Sequence, residues 1–217
     1  MKCCVQSLVS QRVDFLTRSR EKGELQGVPR SKLHSQHSTL TETGDTMIHI
    51  YCGDGKGKTT AAMGLALRAA GRGKRVVIAQ FLKGADSGER FALAHVPGVE
   101  LLPVPERVTF SFRMDEAQRR EAAARFLDLC AQCRERLHSG AAELLVLDEA
   151  CAAVNTGLLP LSALLELLDA AGEGCEVVLT GRDPVPELRE RADYLTELRS
   201  LRHPYERGIA ARPGIEY

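Results

Sequence analysis

The chain has 217 residues, enough for one domain with a substantial core that needs no covalent crosslinks. Its 29 basic and 29 acidic residues balance, which disfavours a nucleic-acid partner. It has no apolar run of membrane-spanning length and no secretory signal pattern, and its seven irregularly spaced cysteines predict reduced thiols in a cytoplasmic protein.

Residues 1–46 differ in composition from the remainder of the chain. They are rich in Ser, Thr, Gln, Arg and Lys and show little apolar periodicity, which predicts a disordered N-terminal extension. Met47 stands just before the first predicted strand. We therefore expect a dispensable extension over residues 1–46 and one folded domain over residues 47–217.

Strand and helix patterns alternate after Met47, which is typical of an α/β fold with a mostly parallel sheet flanked by helices. The predicted strands cover residues 48–52, 75–81, 99–104, 143–147, 176–180 and 194–198. The predicted helices cover residues 59–70 and 115–138, then a stretch with Pro160 at its first position and a short stretch after Pro184. A capping box is predicted at Asp115–Gln118 and a polar loop at residues 83–89.

A phosphate-binding P-loop is predicted between the first strand and the first helix. The stretch reads Gly53-Asp54-Gly55-Lys56-Gly57-Lys58-Thr59-Thr60. Glycines let backbone N–H groups point inward, and the helix N-terminus adds a positive dipole. In such a loop Lys58 reaches the terminal phosphates and the Thr59 hydroxyl ligates Mg²⁺. Cys52 stands where the usual pattern has its first glycine, so this loop is a variant.

The second strong pattern is the apolar run Leu144–Leu147, which leads directly into Asp148 and Glu149. Read alone, it is equally typical of a strand entering a polar loop. In a parallel sheet, however, the strand would end at the same edge as the P-loop. One carboxylate would then hold Mg²⁺ and the other would complete its shell, which predicts a metal site near Thr59.

Several other side chains allow two interpretations each. Charged residues near the expected cleft either contact phosphate or sugar or are surface charges; these are Arg68, Lys83, Glu89, Arg90 and Arg182. His49 is expected to be a satisfied core histidine. A helical face of Phe126, Cys130, Cys133 and Leu137 predicts core packing rather than a metal site.

Phe110 and Phe112 point to one face of an extended segment. Base rates favour two core residues, although a flat apolar ligand would need such a surface. No kinase-type catalytic loop and no Ser-His-Asp pattern is evident in the sequence. The residues alone therefore predict an ATP-binding enzyme acting on a second ligand, with an ATPase, a small-molecule kinase or a non-catalytic carrier as alternatives.

The stretch Gly53–Ala62 closely resembles the P-loop of corrinoid adenosyltransferases of the CobA/CobO/BtuR type, whose loop also lacks the first glycine. The resemblance spans about residues 47–217 and implies a RecA-like P-loop fold. Its further matches, in order, are Gln80–Gly84, Gly88–Arg90, Leu147–Glu149, Thr180–Arg182 and the tail His203–Tyr217.

This resemblance implies transfer of the 5′-deoxyadenosyl group of ATP to the Co(I) centre of a corrinoid, with triphosphate released. The acceptor would be cobalamin, cobinamide or cobyrinic acid a,c-diamide, in adenosylcobalamin biosynthesis or salvage. Cobalt attacks C5′ itself, so no protein nucleophile is required. An electron donor for Co(II) and a homodimer are also implied.

The resemblance assigns roles residue by residue. Lys58, Thr59 and Glu149 would be catalytic, and Mg²⁺, or alternatively Mn²⁺, would bind Thr59, Glu149 and Asp148. Phe110 and Phe112 would pack beneath the corrin ring and displace the lower axial ligand. ATP would contact Gly53, Asp54, Gly55, Lys56, Gly57, Lys58, Thr59, Thr60, Arg68 and Arg182.

Overall fold

The computed structural model describes residues 46–109 and 111–216. The predicted extension therefore lies outside the described residues apart from Thr46, and so does Phe110. Within the described ranges, six strands form one parallel sheet in the order β3-β2-β4-β5-β1-β6. The strands are β1 (Ile48–Cys52), β2 (Val76–Gln80), β3 (Val99–Leu101), β4 (Leu144–Asp148), β5 (Glu176–Thr180) and β6 (Tyr194–Glu197).

Helices connect the strands and cover both faces of the sheet, which confirms the predicted α/β architecture. Among the described residues, no helix combines the length and the apolar character needed to cross a membrane. The helices are α1 (Lys58–Ala70), α2 (Gly88–Leu93), α3 (Glu116–His138), α4 (Ala150–Asn155), α5 (Leu161–Asp169) and α6 (Pro186–Glu190). Two 3₁₀ turns cover Ser111–Arg113 and Pro204–Arg207.

Alternation along the buried strands supplies a separate core on each face of the sheet. On one face, Ala62 and Ala66 of α1 pack with Ile78 and Val146. On the other face, residues of β1, β2, β4 and β5 pack against α3, α4 and α5. The strands β2 and β4 are buried along their whole length, as expected for a parallel sheet covered on both sides.

The Cys-x-x-Cys pair of α3 lies in this second core, as predicted. Phe126, Cys130 and Cys133 are buried there, and the partly buried Leu137 packs against them. Burial raises the pKa of the Cys130 thiol to about 11 and raises that of Cys133 as well. These thiols stay protonated at neutral pH and act as small apolar side chains.

Four local features differ from the expectations. The predicted polar loop over residues 83–89 gives way to α2 at Gly88, and the short helix α4 follows β4 directly. Pro160 is the N-cap of α5 and precedes its first helical residue. The third strand ends at Leu101, because Pro103 and Pro105 follow and lack the N–H groups that a longer ladder requires.

His49 is satisfied, as expected, but it lies at the partly buried boundary between β1 and β6 instead of in the core. Its Nε2 atom is 2.7 Å from Oε2 of Glu176. Its ring stacks on Tyr194, with 4.4 Å between ring centroids. The histidine therefore joins three neighbouring strands at the surface.

Candidate functional site

The P-loop is shaped by glycines at two kinds of position. Gly53 and Gly57 have φ values of 98° and 112°, in the left-handed region where a side chain would be strained. Gly55 needs space instead, because a Cβ atom there would lie 2.7 Å from the carbonyl carbon of Leu198. Gly57 is also the N-cap of α1, so the loop leads directly into the helix N-terminus.

The segment after β6 holds this loop in place. The Gly55 N–H donates to the Leu198 carbonyl at 2.8 Å, and the Ser200 N–H donates to Oδ1 of Asp54 at 3.1 Å. The Ser200 hydrogen bond lowers the pKa of the Asp54 carboxyl. Asp54 therefore anchors the loop to a neighbouring strand end.

Lys58 begins α1 and folds back over the loop. Its Nζ donates to the Gly55 carbonyl at 2.8 Å. Desolvation lowers the pKa of Lys58, and the negative charge of Glu149 partly opposes this shift. The ammonium is therefore a partly desolvated cation, and such a cation interacts more strongly with a phosphate than one in bulk water does.

Asp148 ends β4 as a completely buried carboxylate. Its Oδ1 accepts hydrogen bonds from the hydroxyls of Thr59 and Thr180, at 2.9 and 2.7 Å. Its Oδ2 accepts from Nε2 of Gln80 and pairs with Nζ of Lys83, both at 3.1 Å. These four donors satisfy both oxygens, as a buried charge requires.

A second set of contacts orients Gln80 and Lys83. Nη1 of Arg90 donates to Oε1 of Gln80 at 2.9 Å, which fixes the amide so that its nitrogen faces the carboxylates. Nη2 of the same guanidinium donates to the Leu102 carbonyl at 3.1 Å. Glu89 accepts from both Gln80 and Lys83 at 2.9 Å. Helix α2, which carries Glu89 and Arg90, is therefore tied to the end of β2 and to the residue after β3.

Glu149 follows Asp148 in a left-handed conformation, with φ 61° and ψ 19°. Its N–H donates to the Thr180 hydroxyl at 2.9 Å, and the residue caps α4. Burial raises the pKa of the Glu149 carboxyl, and the adjacent Asp148 charge raises it further. Unlike Asp148, this carboxylate lines the open cleft.

These residues surround one cleft of about 780 Å³ at the carboxyl end of the sheet. That volume lies within the range of ordinary small-molecule sites, and the place is where α/β sheets bind ligands. Lys56 and Arg182 add positive charge, and the tail residue Glu216 pairs with Lys56 at 3.2 Å. The cleft is lined by Asp54–Thr60, Met63, Gly64, Leu67, Lys83, Gly88, Glu89, Glu149, Arg182, His203 and Gly214–Glu216.

Among the predicted ATP and corrinoid contact residues that the structure describes, Gly53, Arg68 and Phe112 do not line this cleft. Arg68 lies in the last turn of α1, about 15 Å along the helix from Lys58, so the structure does not bring it to the P-loop. Phe112 lies in the 3₁₀ turn with 78% of its surface exposed, so its assignment to the core is wrong. The Arg113 guanidinium lies 5.5 Å from the Phe112 ring centroid. Phe110 is outside the described residues.

Some site residues were missed as functional candidates. Gln80 and Thr180 are polar residues that directly follow apolar, buried stretches of β2 and β5, and this polar ending was the available signal. Glu216 had no local signal, because its approach to Lys56 depends on the path of an irregular tail. These residues became visible as part of the site only through contacts between distant segments.

The parallel α/β sheet, the glycine loop at a helix N-terminus and the carboxylates at the same edge define a P-loop nucleotide-binding protein. A sequence model of the family "ATP:corrinoid adenosyltransferase BtuR/CobO/CobP" matches residues 44–217. The chain belongs to this family.

Curated relatives agree with this membership. The corrinoid adenosyltransferase of Escherichia coli K12 is 34% identical over 172 residues, 79% of this chain and 85% of that protein. The corrinoid adenosyltransferase CobA of Salmonella typhimurium is 36% identical over 173 residues, with the same two coverages. The corrinoid adenosyltransferase of Pseudomonas aeruginosa is 32% identical over 182 residues, 81% of this chain and 85% of that protein.

The protein is accordingly an ATP:corrinoid adenosyltransferase, which transfers the adenosyl group of ATP to a corrinoid in adenosylcobalamin biosynthesis or salvage. The function implied by the sequence resemblance is confirmed. Among solved structures, the Aeropyrum pernix ORC2 protein in its ADPNP–ADP complexes aligns with a TM-score of 0.40 at 16% identity, over 75% of this chain and 44% of that one. A similarity this loose carries no argument about the site.

Proposed function

We propose that the cleft binds ATP with its triphosphate along the P-loop and presents the ribose C5′ to a reduced corrinoid. The observation that carries this proposal is the convergence of Lys58, Thr59, Glu149 and Arg182 on one cleft. The electron pair of Co(I) forms the bond to C5′, while the C5′–O5′ bond breaks and its electrons leave with triphosphate. The protein therefore needs to position C5′ and to stabilise the charge of the leaving group.

Positive groups of the cleft match this requirement. The Lys58 ammonium, the loop N–H groups and the N-terminus of α1 all lie along the predicted path of the triphosphate. Arg182 adds a guanidinium, which recognises phosphate oxygens in a bidentate manner. We assign the phosphate contacts to these groups and leave Arg68 out of them.

The oxygen donors fit Mg²⁺, or alternatively Mn²⁺, as the metal bound with ATP. Hard oxygen ligands suit these ions, and the Glu149 carboxylate and the Thr59 hydroxyl both line the cleft. Asp148 already accepts three hydrogen bonds and pairs with Lys83, so we assign it to holding Thr59 instead of direct coordination. When bound, the metal ion neutralises charge on the leaving triphosphate.

The corrinoid is proposed to lie against the turn that carries Phe112. Phe112 exposes 78% of its surface on a turn that faces water, which is unusual for an aromatic side chain. A flat macrocycle would cover this apolar surface. We propose that Phe112, together with Phe110, packs beneath the corrin ring and displaces the lower axial ligand. The corrinoid acceptor is cobalamin, cobinamide or cobyrinic acid a,c-diamide.

Three further proposals complete the function, the first two from the family resemblance and the third from the cysteine pattern of the sequence. An electron donor reduces Co(II) before transfer, the enzyme works as a homodimer, and it acts in the cytoplasm. The buried free thiols at Cys52, Cys130, Cys133, Cys151 and Cys175 are compatible with a reducing compartment.

The proposal is tested by an anaerobic assay. Purified protein is mixed with MgATP and chemically reduced cob(I)alamin, and both adenosylcobalamin absorbance and triphosphate are followed. We expect product that depends on both substrates and a rate that falls by about 10²–10³-fold in Lys58→Ala. Lys74→Ala is the matched control, because Lys74 is an exposed lysine that precedes β2, at the end of the strand opposite the cleft. Release of ADP or phosphate without adenosylated corrinoid would contradict the proposal.

A further inference from the structure

Lys83 lies just beyond β2, and its ammonium contacts three side-chain oxygen atoms beside the cleft. Its Nζ donates to Oγ1 of Thr59 at 3.0 Å and to Oε1 of Glu89 at 2.9 Å. It also pairs with Oδ2 of Asp148 at 3.1 Å. The ammonium is therefore held by two hydrogen bonds and one ion pair.

The Thr59 hydroxyl is oriented from two sides. Its hydrogen points to Oδ1 of Asp148, and one of its lone pairs accepts from Lys83. A hydroxyl oxygen has two lone pairs, so one remains toward the cleft that Thr59 lines. Without the Lys83 contact, the hydroxyl would keep its bond to Asp148 but lose the constraint on its second direction.

Lys83 also neutralises acidic charge beside this hydroxyl. Its ammonium lies between two carboxylates, those of Glu89 and Asp148. Lys83 is therefore fixed between the Thr59 hydroxyl and the two acidic groups.

We infer that Lys83 is a positioning residue for a divalent cation bound with ATP. It orients the Thr59 hydroxyl and neutralises the charges of Asp148 and Glu89. The cation is thereby directed to Thr59 and Glu149. This inference rests on the proposed metal-dependent function. Arg90 donates to the side-chain amide oxygen of Gln80, and the amide nitrogen donates to the carboxylates of Glu89 and Asp148. These contacts keep both carboxylates next to the Lys83 ammonium. The alternative is that Lys83 binds a phosphate oxygen directly, since it also lines the cleft.

The test separates metal-dependent from metal-independent nucleotide affinity. The dissociation constant of ATP is measured by calorimetry with Mg²⁺ and again with EDTA, and Mn²⁺ affinity in the ATP complex is measured by electron paramagnetic resonance. In Lys83→Met we expect the Mn²⁺ affinity of the ATP complex to fall about 10–100-fold. The increase in ATP affinity that Mg²⁺ causes should be lost, while the ATP affinity in EDTA should stay within about twofold of that of the unsubstituted protein.

Two variants make the comparison specific. Lys83→Arg keeps a cation and several donors, so it should recover part of the Mg²⁺-dependent gain. Lys74→Met removes an exposed lysine before β2 and should change neither affinity. If Lys83→Met alone fails to fold because its acidic neighbours lose their counter-charge, the paired variant Lys83→Met with Glu89→Gln is measured with the same readouts.

The opposing results are distinct. An equal loss of ATP affinity with Mg²⁺ and with EDTA would assign Lys83 to direct phosphate binding and overturn the inference. Unchanged affinities in both conditions would overturn it as well. If the unsubstituted protein forms adenosylated corrinoid yet Lys83→Met leaves Mn²⁺ affinity intact, only the inference fails. Absence of adenosylated corrinoid with the unsubstituted protein would instead refute the proposed function.

Discussion

At the scale of single residues, Glu149 carries the clearest conflict between stability and function. A non-glycine residue in the left-handed region costs roughly 1–3 kcal/mol, and this one also holds a partly buried carboxylate beside Asp148. The hydrogen bond from its N–H to Thr180 holds this conformation. Such strain is retained at positions where the surrounding structure and the function both require the geometry.

Replacing Glu149 with Gln tests this conflict. Because folding raises the pKa of Glu149, its ionised carboxylate lowers the free energy of unfolding. This destabilisation is absent in acid and grows as the pH rises through the raised pKa. We expect Glu149→Gln to raise the Tm of the nucleotide-free protein at neutral pH, with the gain vanishing below the usual carboxyl pKa, and to lower the transfer rate about 100-fold. Thermal unfolding across pH and the anaerobic assay measure the two effects.

The exposed Glu121 of α3 provides the control, because Glu121→Gln removes the same charge outside the cleft. It should leave both the rate and the pH profile of Tm unchanged. An equal gain in Tm for Glu149→Gln in acid and at neutral pH would show that the raised pKa is not the cause.

Phe112 should act on the corrinoid and leave the nucleotide unaffected, since it does not line the ATP cleft. Removing its ring should raise the KM for the corrinoid or lower kcat by about tenfold or more, at the level of one lost aromatic contact. Titration of ATP affinity and steady-state kinetics with varied corrinoid measure this for Phe112→Ala. Phe91→Ala removes another exposed phenylalanine, on α2, and is the control. Equal losses in ATP affinity and corrinoid turnover would refute the assignment.

At the scale of elements, the start of α3 is coupled to the turn that carries Phe112. The Arg119 guanidinium donates to the Ser111 carbonyl at 3.3 Å and to the Thr156 carbonyl at 2.7 Å. The turn is thereby linked to the residue after α4, and α4 itself begins next to Glu149. Two helices therefore place the aromatic turn relative to the carboxylate edge of the sheet.

The capping box of α3 should contribute measurably to stability. The Asp115 side chain accepts from the Gln118 N–H at 2.8 Å, and the Gln118 side chain accepts from the Asp115 N–H at 3.0 Å. Losing such a cap costs about 1 kcal/mol, or roughly 2–4 °C in Tm for a protein of this size. We expect this decrease in Asp115→Ala by thermal unfolding. Asp115→Asn keeps an acceptor and should lose much less; equal losses would argue against the cap.

At the scale of the whole molecule, the described residues that form the two cores and the cleft all follow Met47. The Met47 carbonyl accepts from the Val177 N–H at 3.0 Å, and β1 begins at the next residue. A shortened chain beginning at Met47 should keep its Tm within about 1–2 °C and its kcat/KM within about twofold, because it retains every strand of the sheet. Thermal unfolding and the anaerobic assay check this against the full chain. Loss of folding or activity would show that the preceding residues are required.

The architecture was largely predictable because most of its elements carry a pattern over neighbouring residues. All six strands, the long helices and the capping box follow from apolar periodicity and end signals. The helices α2 and α4 were missed because six residues are too few to show an apolar period, and neither begins with a proline as the similarly short α6 does.

The same physical reason decides which residues of the site were predictable from the sequence and which were not. A P-loop is formed by eight consecutive residues, and an apolar strand followed by two carboxylates is equally local, so Gly53–Thr60 and Asp148–Glu149 were found in the amino-acid order alone. Only the folded chain brings Gln80, Lys83 and Thr180 onto Asp148, or places Glu216 on Lys56. Those contacts join segments far apart in the chain, and strand order, which no local pattern encodes, decides which segments meet.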